Sequence, residues 1–399
     1  MQQNNNSVKI ILIIILLGSV GTFVSDMYVP SLPAISAAFH TSNKLAQWTI
    51  TIFFFGLSIA QFFYGSLSDV IGRKKAIVIG LSICVVGSIV CCIADSIWML
   101  LVGRFIQAIG SGTTALFRAI LRDSFSGKKL ARMGSIGSMA FSIAPAAAPI
   151  VGGYVETFYG WRMSFIIIMI IMIFALSVVI AFFKESNKKL NPHGFTFKAI
   201  IKNFSILLRH KNFLIYIFCS GTVMAGLIAY IISSPFLFQT ILGLTPIQYG
   251  WLTIYVLLAS IVGKIINAYL LNYMPIKRLI SLGFVYMIIS GLSILITGLM
   301  GYLNVEIIII PVMIYILAGG FIFSNAMVSA MEDFSHMAGS AAAMYGGLQL
   351  SIAFIAGAII SCIHQKNQIP IAYIFLSLGI LGYTVFNFAT VEKRVLPAE

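Results

Sequence analysis

Charge is what this chain has least of. Of 399 residues only 9% are charged, 60% are hydrophobic, and 11 acidic residues stand against 25 basic ones. A soluble domain carries about 25% charged residues, so this balance excludes one and indicates a polytopic helical membrane protein. Cysteine is scarce too. Cys84, Cys91, Cys92, Cys219 and Cys362 all fall inside apolar runs without metal-ligand spacing, which excludes a zinc site or disulfide scaffold and leaves them as small core residues. There is no HExxH, no pair of intramembrane aspartates and no membrane-embedded histidine, so an intramembrane enzyme is excluded and no metal or cofactor is expected. The first apolar run ends without a small-residue cleavage site and is expected to stay as the first span.

The net charge of +14 does not imply a nucleic-acid partner, because in a membrane chain excess Lys and Arg collects in loops facing anionic lipid. Apolar runs place twelve helices at about 9–30, 46–69, 76–95, 97–121, 133–156 and 162–183, then about 213–238, 247–271, 278–300, 305–330, 338–363 and 369–388. One set of breaks holds Arg73, Lys74, Lys75, Arg122, Lys128, Lys129, Arg132, the seven Lys and Arg from Lys184 to Lys211, Lys277 and Arg278; the alternate set holds Lys44, Arg162 and Lys366. Both termini are therefore expected in the cytoplasm.

The polar stretch 184–212 divides the chain into a six-helix unit over 1–183 and another over 213–399. Its opening, KESNKKLNPHG, reads as a linker. Phe197, Ile200, Ile201, Phe204 and Leu208 then share a helical face opposite Lys198, Lys202 and Arg209, as expected of a helix lying on the membrane surface. A plain connector is the alternative.

The run Ile10 to Pro33 carries one ionisable residue, Asp26. An unpaired carboxylate within a bilayer is expensive, so it requires a cation on another helix or a bound proton, and both point to transport. In helix four, Arg104, Gln107, Ser111, Thr114, Arg118 and Arg122 recur at steps of three or four, a polar stripe that must line a water-filled cavity or pack on other polar groups. Asp26 lies about four residues from the outer end of helix one and Arg104 about seven from that of helix four, depths that agree within about one turn. The pair either couples to protons or is a static ion pair that fixes packing.

At the other end of helix two, Gly65 allows close helix contact, Asp69 is placed to accept hydrogen bonds from a neighbouring helix end, Gly72 ends the helix, and Arg73 has Asp123 to meet. Helix five sets Gly134, Gly137, Ser138, Ser142, Pro145, Pro149, Gly152 and Gly153 at helical steps. It is expected to bend at its prolines and to pack tightly across its own bundle. Tyr28 is an aromatic candidate for a cavity wall, and Asn325 and Gln349 are candidates for either cavity wall or interhelical contact.

GSLSDVIGRKK at 65–75, RFIQAIGSG at 104–112 and APAAAPIVGG at 144–153 resemble motifs of the major facilitator superfamily. DMYVPSLP at 26–33, RAILRD at 118–123, GWR at 160–162, and NAM followed by MEDFSHMAGSAAA at 325–343 are similar to its bicyclomycin/chloramphenicol-resistance branch of drug:proton antiporters in bacteria. Val70 departs from the usual basic residue, and Ala108 stands where many members have Gly. The resemblance implies an all-α fold with two pseudo-symmetric bundles of six helices around a central cavity, in the bacterial inner membrane, acting as a monomer on protons and small molecules. It implies that Asp26 is the protonation site and Arg104 its partner. Gly65, Asp69, Gly72, Arg73, Arg122 and Asp123 would form the inner latch, and Pro145, Pro149, Gly152 and Gly153 the antiporter motif. Gly18 stands where some multidrug exporters carry a second acid, which favours neutral cargo over cationic. An exporter or importer of a dedicated metabolite or siderophore is the rival reading. A channel would want a continuous polar ring instead of one stripe.

Overall fold

A computed structural model describes residues 2–187, 204–363 and 366–389, and among them every regular element is a helix. α1 runs Gln2–Asp26, passes through a 3-10 turn at Val29–Ser31 and continues as Leu32–Ala38. α2 is Asn43–Ile71, α3 Arg73–Cys92, α4 Ile97–Ser111, α5 Gly127–Tyr159 and α6 Trp161–Phe182. The second set is α7 Lys211–Pro235, α8 Pro246–Leu270, α9 Ile276–Leu299, α10 Val305–Met331, α11 Ala338–Cys362 and α12 Ile369–Ala389. Eleven of these are long and apolar enough to cross a membrane. The remaining one, α5, has 33 residues, about 50 Å at 1.5 Å per residue, and is less apolar because of its glycines, prolines and serines. With an even number of spans, α1 begins and α12 ends on the same side, the terminal face; the opposite side is the far face.

Polar side chains start four of the helices that enter from the far face, α2, α4, α8 and α10. Ser42, Ser96 and Asn304 each accept the N–H three residues on, and Thr245 forms a reciprocal box with Gln248, supplying partners that the first helical turn lacks. At the terminal face, Gly72 joins α2 to α3 with φ +95°, a conformation that an L side chain resists.

Two elements differ from the expected spans. α1 does not stop near residue 30. Pro30 sits in the first positions of the 3-10 turn and Pro33 in the first turn of Leu32–Ala38, where the missing N–H costs no helical hydrogen bond. α4 is not one continuous helix. It changes to a 3-10 segment at Gly112–Leu116 and resumes as Phe117–Ser124, so the polar stripe loses its single face where the turn tightens. In the connector, Phe197, Lys198, Ile200, Ile201 and Lys202 lie outside the described residues. Phe204 packs against Phe62 at 5.8 Å between ring centroids, but Leu207, not Leu208, is buried beside Phe213 and Phe334. The apolar face is turned into the bundle by one residue.

Packing repeats between the halves. In the first, α3 packs on α4 and α6, α2 on α4, and α1 on α5 and α6; in the second, α9 packs on α10 and α12, α8 on α10, and α7 on α11 and α12. Each contact maps onto its counterpart six helices later, as in two bundles related by an axis along the membrane normal. Between bundles, α2 packs on α11 and α5 on α8, again a symmetric pair.

Candidate functional site

Arg104 is wholly buried, and its surroundings are built to hold a cation. Nη1 donates to the backbone carbonyl of Val24 at 2.8 Å and to Gln107 Oε1 at 2.7 Å, while Nε donates to the Thr49 carbonyl at 3.4 Å. The guanidinium carbon lies 4.2 Å from the centroid of the Tyr28 ring and 4.4 Å from that of Phe53. Two desolvated ring faces contribute up to about 2 kcal/mol each, which offsets part of the cost of taking the charge out of water. Nη2 is buried and has no hydrogen-bond partner.

Asp26, the last residue of the regular part of α1, is half-buried. Among the described residues the ion pairs are Asp69–Arg73, Arg73–Asp123 and His210–Asp333. The contact between Asp26 and Arg104 allowed by their matched depths is thus not made in this conformation, because the guanidinium docks on the carbonyl of Val24, two residues earlier. Both Arg104 and, across the bundle boundary, Tyr249 of α8 lie within electrostatic reach of Asp26. The Tyr249 hydroxyl is 2.8 Å from that of Ser234. The acid therefore stands at the meeting of the two bundles.

The polar stripe divides at the α4 break. Gln107 points to α3, donating to Ser88 Oγ at 2.8 Å, and Ser111 bonds back to the Gln107 carbonyl; both are buried inside the first bundle and support Arg104 instead of forming a cavity wall. Tyr28 is likewise internal, its hydroxyl 3.0 Å from Thr49 Oγ1. Thr114 is half-buried and Arg122 exposed; the Arg118 side chain lies outside the described set. In the second bundle Asn325 donates to Asn267 Oδ1 at 2.8 Å, an interhelical contact between α10 and α8. Gln349 is buried with its Nε2 unpartnered.

At the terminal face Arg73 is buried and joins two acids. It meets Asp69 at 2.7 Å and Asp123 at 3.0 Å and donates to Ser68 Oγ. Asp69 is spent on Arg73 one turn on, and Gly65 faces Ala343 of α11 with room for a methyl group, 3.8 Å away. Sequence reasoning missed Glu185, just beyond α6. Its two carboxylate oxygens accept the backbone N–H groups of Arg73 at 2.9 Å and Lys74 at 3.0 Å, capping the α3 N-terminus from a distant part of the chain.

The seam between the bundles closes at the far face. A Cβ on Gly152 would run into the Met27 carbonyl, one on Gly153 into the Pro246 carbonyl, and one on Gly250 into that of Pro149. Thr253 Oγ1 donates to the Ala146 carbonyl at 3.1 Å, Gln239 Nε2 to the Pro30 carbonyl at 2.9 Å, and Thr51 meets Ser361 at 3.0 Å. α5 thus packs on α8 of the other bundle as well as on α1 of its own, because its small residues continue along both sides. On α5 itself Pro145 is exposed and a Cβ on Gly134 would meet open space, while α2 and α11 stay in contact towards the terminal face, where a Cβ on Gly347 would meet the Phe62 ring.

Two bundles of six helices, related by symmetry and sealed together at the far face beside a half-buried acid, have the architecture of a secondary transporter. The chain belongs to the Major Facilitator Superfamily, whose family model matches residues 14–358. It is 26% identical over 391 residues to the bicyclomycin resistance protein homolog of Haemophilus influenzae, covering 98% of each chain. It is 23% identical to multidrug resistance protein D of Escherichia coli over 95% of each chain. To the chloramphenicol resistance protein of Pseudomonas aeruginosa it is 25% identical, over 91% of this chain and 86% of that one. In fold it is similar to the xylose transporter XylE from E. coli, solved in a partially occluded inward open conformation, with a TM-score of 0.75, 13% identity and coverage of 97% and 98%.

Proposed function

We propose that the protein exports small organic compounds, of the kind named for its drug-resistance relatives, in exchange for protons. The observation that carries this is the placement of Asp26: an acid at the boundary of the two bundles, without an ion pair, within electrostatic reach of a buried arginine that is engaged elsewhere. A neutral carboxyl needs no cation, so the arrangement fits a proton-loaded Asp26 in a state closed at the far face. Loss of that proton makes Asp26 a partner for Arg104; cargo enters, and the cycle turns towards the far side.

The excess of Lys and Arg at the terminal face supports a cytoplasmic position for that face and both termini, in a bacterial inner membrane. The same reading assigns 1–183 and 213–399 to the two bundles, 184–212 to a cytoplasmic connector, and a monomer as the working unit. The membrane field supplies about 2.3 kcal/mol per proton per 100 mV, enough to concentrate a neutral cargo roughly forty-fold at about 1.4 kcal/mol per factor of ten.

The test uses everted vesicles. Asp26→Asn is expected to abolish proton-driven uptake while leaving exchange of labelled for unlabelled cargo intact, since exchange moves no net proton. Full proton-driven uptake by Asp26→Asn would remove the assignment.

A further inference from the structure

The spans hold a second half-buried acid that the mechanism above does not use. Glu156 lies on α5 one turn beyond Gly152, the glycine that leans on the Met27 carbonyl, so its side chain reaches the α1 turn at Val29–Ser31. Glu156 Oε2 and Ser31 Oγ are both buried, and neither has a hydrogen-bond partner. The neighbouring elements bring Asp26 and Tyr28 on α1, Arg162 on α6 and Tyr249 on α8. Arg162 donates to the Ala94 carbonyl at 2.9 Å, and the two tyrosines bond Thr49 and Ser234. None of these groups acts on the Glu156 carboxyl, and the one polar side chain that does is Ser31.

A carboxylate oxygen held out of water with no cation and no donor is costly, whereas a carboxylic acid beside a serine hydroxyl is tolerated. When the far seam parts, the α1 turn leaves α5 and the buried oxygen also meets water, where nothing opposes ionisation. We propose that Glu156 is a proton site of the far mouth, taking up a proton from the far-side water as the mouth closes and returning it to the same side as the mouth opens. The proton adds to the carboxylate and leaves from it, so the site changes the balance between closed and open states without changing the number of protons carried per cycle. Closure then varies with far-side pH by up to about tenfold per pH unit. This rests on the alternating-access reading but not on the identity of the cargo.

The experiment uses the full chain with its cysteines replaced by serine and spin labels at Lys44 and Tyr302, exposed residues on the two bundles at the far face. Asp26→Asn is added to remove the first proton site. Raising the pH from about 5 to about 8 is expected to shift the label distances from closed to open. Adding Glu156→Gln, which mimics the protonated group, is expected to hold the mouth closed at every pH, and Glu156→Leu serves if the amide fails to fold. Persistence of the pH response in both double variants, or opening that ignores pH in the Asp26→Asn protein, would overturn this site alone. No opening at any pH in any variant would overturn the alternating-access reading with it.

Discussion

The guanidinium carbon of Arg104 stands 4.2 Å from the centroid of the Tyr28 ring, and the tyrosine hydroxyl is itself 3.0 Å from Thr49 Oγ1. A residue of α1, one of α2 and the cation of α4 are thereby locked into one unit next to Asp26. The planar group fills the space between two rings and forks its N–H groups to three acceptors, which a compact ammonium does not reproduce.

Arg104→Lys therefore preserves the charge and removes the fit. Proton-driven transport is expected to fall at least about tenfold, the equivalent of about 1.4 kcal/mol, with the protein still folded by thermal unfolding in detergent. Transport within a factor of two of wild type would show that charge alone suffices.

Gly152→Val places a branched side chain against the Met27 carbonyl at the far seam. The closed mouth is expected to lose about 1–3 kcal/mol, the usual cost of overpacking, and the population to move towards the state open at the far face. The distance between labels on Lys44 and Tyr302 reads the shift. Unchanged distances would mean that α1 yields without opening the seam.

Arg73→Gln leaves Asp123 and Asp69 close together at the terminal face without their shared cation. Asp69 is about half exposed and Asp123 about a quarter, with side-chain exposures of 48% and 23%, so solvent screens much of the loss and about 1–2 kcal/mol of stability is expected to go. A chemical-denaturation midpoint in detergent measures it, and raised salt should narrow the difference from wild type.

Glu185→Ala frees the two N–H groups at the start of α3 that the carboxylate now holds. About 1 kcal/mol of stability is expected to be lost, and hydrogen exchange should quicken at Arg73 and Lys74 ahead of the rest of α3. Unaltered exchange at those two amides would show that water replaces the cap at no cost.

Much of this architecture was legible before any coordinates. Lipid demands long apolar runs, so the spans announced themselves, and the step of three and four exposed the stripe of α4. Other features had no local signal. The 3-10 turn at Gly112–Leu116 sits where Gly112 lies against Ala60 and Tyr64 of α2, a close approach that the glycine allows but the local pattern does not specify. Phe53 looked like one of 31 phenylalanines until the fold set it over Arg104. Glu185 stands more than a hundred residues from the amides it caps, and Glu156 drew no notice because only the closed seam deprives it of partners. Periodicity shows which face is polar; it does not say which polar group meets which.

At the far mouth, three glycines press directly on main-chain carbonyls, and the side chains of Thr253 and Gln239 that cross the seam reach main-chain carbonyls as well. A lock that closes largely on main chain has no opinion about the passenger. Changes that broaden or narrow what the cavity accepts can therefore accumulate without spoiling the seal, and leaks should arise from a handful of positions that never touch cargo.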